Sequence, residues 1–202
     1  MQALDAMHRV LGHISRWAVW LGGAALLISA LIVTVDVISR KIFSATLGGS
    51  DEISGYVFAA STTWAYSYCL LNRSNVRIDV LYNFLPQRLR SIMDVVGLAL
   101  LLYYMGYLTS AAFEVFWTSW TGNSVSNTTL QVSLWIPQLA WVLGLSLFVF
   151  TLAFMLLYTL VGLLKGNDRL VRRLAGAMSA QEEIEMDTHG LDVKANYTQK
   201  EQ

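Results

Sequence analysis

The sequence predicts an all-α membrane protein with four transmembrane helices and a short interfacial amphipathic helix between the second and third. Of the 202 residues, 55% are hydrophobic and only 14% are charged, whereas a soluble domain carries about a quarter charged residues. The chain also contains four apolar segments of the length, about 20 residues, that a helix needs to cross a hydrocarbon core about 30 Å thick. These two observations indicate the fold class.

The four predicted spans lie near residues 17–38, 53–71, 86–117 and 135–164. The first apolar run exceeds the roughly 7 to 15 residues of a signal-peptide core, so we expect it to stay in the membrane. The third and fourth spans are longer than a bilayer requires and should tilt or project from it. We expect one membrane domain over 1–165, followed by a polar cytoplasmic tail over 166–202 that is partly disordered.

Small residues recur at helical spacing on three of the spans. The stripes are Ala18, Gly22, Ala25 and Ser29 on the first, Gly55, Ala59 and Thr62 on the second, and Ala140, Gly144 and Thr151 on the fourth. Small side chains let helix backbones approach closely, which is how helices associate where lipid removes the hydrophobic drive. We therefore expect helix packing at Gly22, Gly55 and Gly144.

Lys and Arg residues are unevenly distributed among the flanks and loops. The N-terminal flank, the second loop and the near C-terminal flank together contain Arg9, Arg16, Arg73, Arg77, Arg88, Arg90, Lys165, Arg169, Arg172 and Arg173. The first loop contains only Arg40 and Lys41, and the third loop contains neither residue type. Because Lys and Arg concentrate in cytoplasmic loops, both termini are predicted to be cytoplasmic.

The stretch NVRIDVLYNFLPQRLR, residues 75–90, lies between the second and third spans. Its apolar residues, among them Leu81, recur every three to four positions, as in a helix lying in the membrane interface. Arg77 falls on another face and, with Arg73, should be drawn to anionic lipid headgroups. Pro86 disfavours helix at the residue before it but suits a first helical turn. We predict an interfacial helix over 76–85; an ordinary cytoplasmic loop is the alternative.

Three ionisable residues fall within the predicted spans: Asp36, Asp94 and Glu114. None sits at mid-span, and Asp36 and Asp94 have Arg40 and Arg90 four residues away, where a helix can pair them. We expect interfacial carboxylates that are solvated or locally paired. Coupling to a transported ion is the alternative, because charged groups at bilayer depth are usually functional.

The segment GGSDE precedes the second span. Ser50 or Asp51 is expected to cap that helix, and Asp51 and Glu52 face the positive end of its dipole. Arg40 and Lys41 lie close in sequence and could close this short loop electrostatically.

Several functional classes are disfavoured. His8, His13 and His189 lie outside the spans or at their edges, whereas a haem between helices needs ligands at depth. Cys69 is the only cysteine, which excludes an internal disulfide and a cysteine-based metal cluster. Neither a catalytic constellation nor a phosphate-binding loop is evident, and the basic residues are too scattered to indicate a nucleic-acid partner. We expect a non-enzymatic chain without a cofactor of its own.

The segments GGSDEISGYVFAASTTWAY, NRSNVRIDVLYNFLPQRLR and LWIPQLAWVLG occur in that order. Over about residues 15–165 they resemble the small permease subunit (DctQ type) of tripartite ATP-independent periplasmic (TRAP) transporters. Many members have His where this chain has Asn75, so no role of that His is carried over. The resemblance implies a subunit of the bacterial inner membrane that scaffolds a large elevator-type permease subunit.

The resemblance also implies a periplasmic solute-binding protein as a further partner, besides membrane lipids, and uptake of a small organic acid or related solute. A coupling cation, sodium, is expected in the large subunit. The GGSDE segment could then dock the binding protein instead of only capping a helix. Two other classes stay open: an autonomous small transporter working as a homo-oligomer, and the membrane anchor of a redox enzyme.

Overall fold

The computed structural model describes residues 2–46, 48–73, 87–128 and 130–164. Within these ranges the chain forms four helices: α1 (Gln2–Phe43), α2 (Ser50–Leu71), α3 (Gln87–Thr121) and α4 (Trp135–Leu164). No strand occurs there; one isolated bridge joins Val125 to Ser133 in the loop between α3 and α4. The all-α fold class is therefore confirmed for the described chain. The predicted interfacial helix 76–85, which includes Arg77 and Leu81, lies outside the described residues, as do Pro86 and the tail 166–202.

Three of the helices are long and apolar enough to cross a membrane: Leu4–Phe43, Ile92–Thr121 and Trp135–Leu163. The protein is therefore membrane-embedded. The first predicted span, 17–38, covers only the apolar middle of a helix that is about 63 Å long at 1.5 Å per residue. The helix continues through polar residues near its N-terminus, such as Arg9 and Arg16, because helical hydrogen bonding does not require apolar side chains. α3 likewise ends at Thr121, four residues beyond the predicted end.

The helices pack in the order α1, α2, α4, α3. The Ser61 hydroxyl donates to the Gly22 carbonyl and the Ser50 hydroxyl to the Asp36 carboxylate, so α1 and α2 run antiparallel. Trp120 and Trp135 meet edge to face with ring centroids 4.7 Å apart, at the α3–α4 turn. The end of α1, the start of α2, the end of α3 and the start of α4 consequently share one end of the bundle.

The buried core centres on α3 and α4. Apart from Asp94, the buried residues of α3 recur every seven positions, at Leu98, Met105, Ala112 and Ser119. Three of the fully buried residues of α4 have the same spacing, Leu145, Leu152 and Thr159. A seven-residue repeat keeps one face of each helix against its neighbour. Because lipid removes the hydrophobic drive, close packing at these positions supplies the attraction between the helices.

Candidate functional site

The main polar cluster of the described chain lies where the α1–α2 and α3–α4 loops meet. We call it the polar junction; it comprises Asp36, Arg40, Thr46, Ser50, Asp51, Glu52, Tyr56, Ser126 and Thr128. Its members come from α1, from α2 and from both loops. The sequence separates Glu52 from Thr128 by 76 residues, so the helix arrangement alone brings them together.

Asp36 is the buried centre of this junction. Its side chain is 0% exposed and accepts hydrogen bonds from Arg40, from the Thr46 hydroxyl at 3.1 Å and from the Ser50 hydroxyl at 2.7 Å. The predicted local pair with Arg40 is confirmed. A buried carboxylate is costly unless its oxygens are satisfied, and here donors from three chain segments satisfy them.

Arg40 extends the junction toward solvent. Its guanidinium pairs with Asp36 and also lies 3.8 Å from the Asp51 carboxylate, which is 81% exposed. Arg40 therefore closes the first loop electrostatically, as predicted. The same prediction for Lys41 stays a prediction. A pair as exposed as Arg40 and Asp51 is screened by solvent and contributes little to stability by itself.

The predicted cap of α2 is wrong. The N-cap residue is Gly49, and no side chain caps the helix. Gly49 has a φ of 88°, a left-handed conformation that glycine adopts without steric cost. Ser50 is the first residue of the helix and not its N-cap, and its hydroxyl donates to Asp36. Asp51 and Glu52 do lie in the first turn of α2, near the positive end of its dipole.

Glu52 joins α2 to the α3–α4 loop. Its carboxylate accepts hydrogen bonds from Thr128 and, at 2.5 Å, from the Tyr56 hydroxyl. Hydrogen bonds from Ser126, Thr128 and Tyr56 hold the pKa of the Glu52 carboxyl below its usual value of 4.5, because these donors favour the charged form.

The two loops also touch through apolar atoms. A Cβ added at Gly49 would lie 2.2 Å from Leu130 Cδ1, so Leu130 packs directly on the bare glycine backbone. The α3–α4 loop is internally fixed by backbone hydrogen bonds from Ser126 to Val132 at 2.9 Å and from Leu134 to Ser124 at 3.0 Å. A defined loop thus rests on the start of α2.

The three glycines predicted to pack lie in different surroundings. Gly22 faces Ser61, whose Cβ would lie 3.2 Å from an added Cβ, and Gly144 faces Thr63 and Trp64, at 2.4 and 2.8 Å. Gly55 has no neighbour within 4 Å among the described residues. Gly22 and Gly144 therefore lie at close helix approaches, as predicted, whereas Gly55 does not face another described helix.

The other sequence-selected residues are not part of the junction. Arg73 follows the end of α2 at the opposite end of the bundle, with a φ of 55°. Asp94 is buried on α3 and Glu114 is exposed on the same helix; the predicted pairing of Asp94 with Arg90 stays a prediction. Sequence reasoning missed Thr46, Tyr56, Ser126 and Thr128, since nothing in their local sequence signals a distant carboxylate.

A separate polar contact between helices lies at the opposite end of the bundle. The hydroxyl of buried Tyr158, near the end of α4, donates to the Asp5 carboxylate in the first turn of α1. The polar junction and the Asp5–Tyr158 contact therefore hold the helices together at the two ends of the bundle. The described residues contain no group of three His, Cys, Asp or Glu side chains that could hold a metal ion.

One comparison with known proteins gives a match. The family described as "Tripartite ATP-independent periplasmic transporters, DctQ component" matches residues 29–166, more than half of the chain. The matched region includes the whole polar junction and helices α2, α3 and α4. No curated protein and no solved structure matches the chain.

Proposed function

The chain belongs to the DctQ component family of tripartite ATP-independent periplasmic transporters, and from that premise we propose that it is the non-catalytic scaffold of such a transporter. It would hold a large elevator-type permease subunit during ion-coupled uptake of a small organic acid or related solute. A periplasmic solute-binding protein delivers that solute. The coupling cation, sodium, would bind to the large subunit, so this chain needs no cofactor of its own. The family match is the observation that carries the proposal.

The helix arrangement supports a scaffolding role. An elevator works only if its stationary part resists the motion of its moving part. Asp36 ties α1 to α2, Glu52 ties α2 to the α3–α4 loop, and Tyr158 ties α4 back to α1. Each of these hydrogen bonds involves a carboxylate, which makes it stronger than a neutral one. A helix bundle held together by hydrogen bonds at both ends suits the stationary part of an elevator-type transporter.

We include α2 as the fourth membrane span. Its predicted span, 53–71, measures about 29 Å at 1.5 Å per residue, close to the thickness of the hydrocarbon core. It packs between α1 and α4, both of which are apolar enough to span. Its buried polar residues, such as Ser61, Thr63 and Ser67, face neighbouring helices, which explains why α2 is less apolar than the others without being unsuited to a membrane.

The proposed orientation places both termini in the cytoplasm and the polar junction in the periplasm, with the chain in the bacterial inner membrane. Among the described Lys and Arg residues, Arg9, Arg16, Arg73 and Arg90 share the end opposite the junction. Cytoplasmic ends are rich in such residues. The junction is then positioned to meet the binding protein, and its exposed Asp51 offers a carboxylate for that contact. If Glu52→Gln and Asp51→Asn leave both assembly and transport unchanged, the docking role is lost.

The interfacial helix 76–85 completes the proposal and rests on sequence periodicity alone. It would enlarge the area over which the scaffold contacts the cytoplasmic membrane surface. A charge on its apolar side, as in Leu81→Asp, should weaken transport by the assembled complex while leaving the substrate affinity of the binding protein intact. Normal transport by a fully assembled Leu81→Asp complex would contradict this membrane contact of the interfacial helix.

Gentle solubilisation followed by mass spectrometry of the intact complex tests the proposed function directly. We expect a stoichiometric large membrane protein to accompany this chain. A self-dimer without such a partner would instead indicate an autonomous transporter. A coloured cofactor travelling with the chain would indicate a redox anchor.

A further inference from the structure

One side of α1 carries two arginines and two tryptophans near the N-terminal end of the helix. Arg9, Arg16, Trp17 and Trp20 are all exposed, the two tryptophans by 68% and 73%. Their spacings of three, four and seven residues place them on one side of the helix. This side points away from α2, because Gly22, which contacts α2, lies on the other side of α1. We call these four exposed residues the cationic-aromatic face.

The two arginines of this face are not used within the bundle. In the part of the chain that the structure describes, the salt bridges of arginine belong to Arg40 and not to either of them. The acidic residue nearest in sequence, Asp5, accepts a hydrogen bond from Tyr158 instead. The ring of His13, which lies between the two arginines, hydrogen-bonds to the Arg9 carbonyl at 2.9 Å. Both guanidinium groups therefore keep their charge and their N–H donors available to a ligand.

The cationic-aromatic face lies level with the end of α2. Ser61 of α2 donates to the Gly22 carbonyl of α1, and the two helices run antiparallel. About 15 Å further along, α2 ends at Leu71. The same distance back along α1 from Gly22 leads to a point between Arg9 and Arg16. Because α2 is the proposed fourth span, its end marks the membrane interface, where tryptophan is enriched and headgroup phosphates lie.

Beyond Trp20 the same side of α1 is aliphatic. Leu27 and Leu31 are 71% and 66% exposed, and Gly23 has no neighbour within 4 Å of where a Cβ would be. Leu27 lies about 16 Å from Arg16 along the helix axis, about half the thickness of a hydrocarbon core. Over the depth of one leaflet this side therefore presents cations, then indole rings, then aliphatic side chains. A phospholipid presents its phosphate, its ester groups and its acyl chains in the same order.

We propose that the cationic-aromatic face of α1 binds an anionic phospholipid of the cytoplasmic leaflet, whose phosphate accepts hydrogen bonds from Arg9 and Arg16. Arginine suits this contact because its planar guanidinium can donate two parallel hydrogen bonds to one phosphate. A helix of a protein partner is a poorer occupant, because it would have to bring an acid to the arginines, whereas lipid phosphates are present along the whole interface. The inference uses the orientation and the α2 span proposed above, but it requires no large subunit.

Native mass spectrometry of the solubilised full-length chain, with any membrane protein that co-purifies, tests the lipid site. The protein is titrated with phosphatidylglycerol, which is anionic, or with phosphatidylcholine, which is neutral overall. We expect the wild type to bind phosphatidylglycerol about tenfold more tightly than phosphatidylcholine, because each arginine attracts the anionic headgroup. Equal binding of the two lipids by the wild type would overturn the proposal.

Charge-removing variants locate the site on α1. Arg9→Gln, Arg16→Gln should lose the preference for phosphatidylglycerol. Lys41→Gln is the matched control, because it removes an exposed cation from the same side of α1 at the other end of the helix, and it should keep the preference. An unchanged preference in the double variant would contradict the site.

A second double variant, Arg9→Lys, Arg16→Lys, separates charge from fold. It keeps both charges and should retain most of the preference for phosphatidylglycerol. Because both positions are exposed, melting temperatures in neutral detergent without added lipid should match the wild type for both double variants. Equal loss of the preference in the glutamine and lysine variants would show that charge does not carry the binding and would contradict the proposal.

Photo-labelling in intact membranes separates the inference from the proposed function. A phosphatidylglycerol with a photoactivatable acyl chain should label α1 peptides between Arg16 and Leu31, and the matching phosphatidylcholine should label them less. Label confined to other helices, or loss of the α1 label when a protein partner is bound, would overturn the lipid site. Absence of a stoichiometric large subunit would instead remove the proposed function, while labelling of α1 would still support the lipid site.

Discussion

At the scale of single residues, Asp36 shows how one buried carboxylate organises a loop. Three donors from α1, the first loop and the start of α2 converge on it. Satisfying a buried charge in this way fixes the donors relative to one another, because moving any of them leaves the charge partly unpaired. The exposed Asp51, paired to the same Arg40 at 3.8 Å, lacks this constraint.

We therefore expect Asp36→Asn to lower the free energy of unfolding by about 2 kcal/mol, since hydrogen bonds to a charged group are lost or weakened. Asp51→Asn is the matched control and should cost under about 0.5 kcal/mol. Thermal unfolding in detergent measures both. Equal losses of stability in the two variants would show that burial of Asp36 is not what matters.

The lowered pKa of Glu52 should make the stability of the protein depend on pH. Because hydrogen bonds from Ser126, Thr128 and Tyr56 lower its pKa in the folded chain, the folded state binds the proton less readily than the unfolded state. The stabilisation is therefore complete above the ordinary pKa of 4.5 and is lost as pH falls from there through the lower, folded pKa.

Melting temperatures of wild type and Glu52→Gln, recorded between about pH 7 and about pH 3, should converge toward acid pH. Thr128→Val removes one of the hydrogen-bond donors to Glu52. The difference in melting temperature between Thr128→Val and Glu52→Gln should therefore change less with pH than the difference between wild type and Glu52→Gln. A constant difference between wild type and Glu52→Gln across this range would argue against the hydrogen-bonded carboxylate.

At the scale of helices, the contact between α2 and α4 depends on the absence of a side chain at Gly144. Thr63 and Trp64 occupy the space where its Cβ would be, and the Trp64 indole donates to the Ala140 carbonyl at 2.8 Å. This close approach leaves no room for even one methyl group. Gly55, on the outward side of α2, has open space instead.

Gly144→Ala should therefore destabilise the solubilised protein by about 1 to 3 kcal/mol, as overpacking does elsewhere. Gly55→Ala makes the same chemical change in a helix interior and should be neutral or stabilising by up to about 1 kcal/mol, because alanine favours helix. Thermal unfolding of the two variants side by side checks this. Similar destabilisation of both would contradict the role of the α2–α4 contact, because Gly55 has open space where its Cβ would be.

At the scale of the whole molecule, the polar junction and the Asp5–Tyr158 contact fasten opposite ends of the same bundle. The Lys and Arg asymmetry predicts that the junction end is periplasmic. Cysteine labelling with a membrane-impermeant reagent tests this in a Cys69→Ser background, which removes the only native cysteine. Asn127→Cys, in the exposed α3–α4 loop, should react in intact spheroplasts.

Ala6→Cys, exposed near the start of α1, is the matched control and should react only after the inner face is opened. The reverse pattern would invert the proposed topology, although the helix arrangement itself would stand.

The sequence by itself determined that this is an all-helical membrane protein, where its apolar helices lie, the pairing of Asp36 with Arg40, and the family. All of these depend on composition, motif order or spacing within one helix, which a linear sequence records directly. Tertiary structure decided that Gly49, and not Ser50 or Asp51, is the N-cap residue of α2, that Thr128 reaches Glu52, and that Gly144 but not Gly55 faces another helix. Those outcomes depend on which helices become neighbours and at what rotation, and residues far apart in the chain fix that jointly through packing.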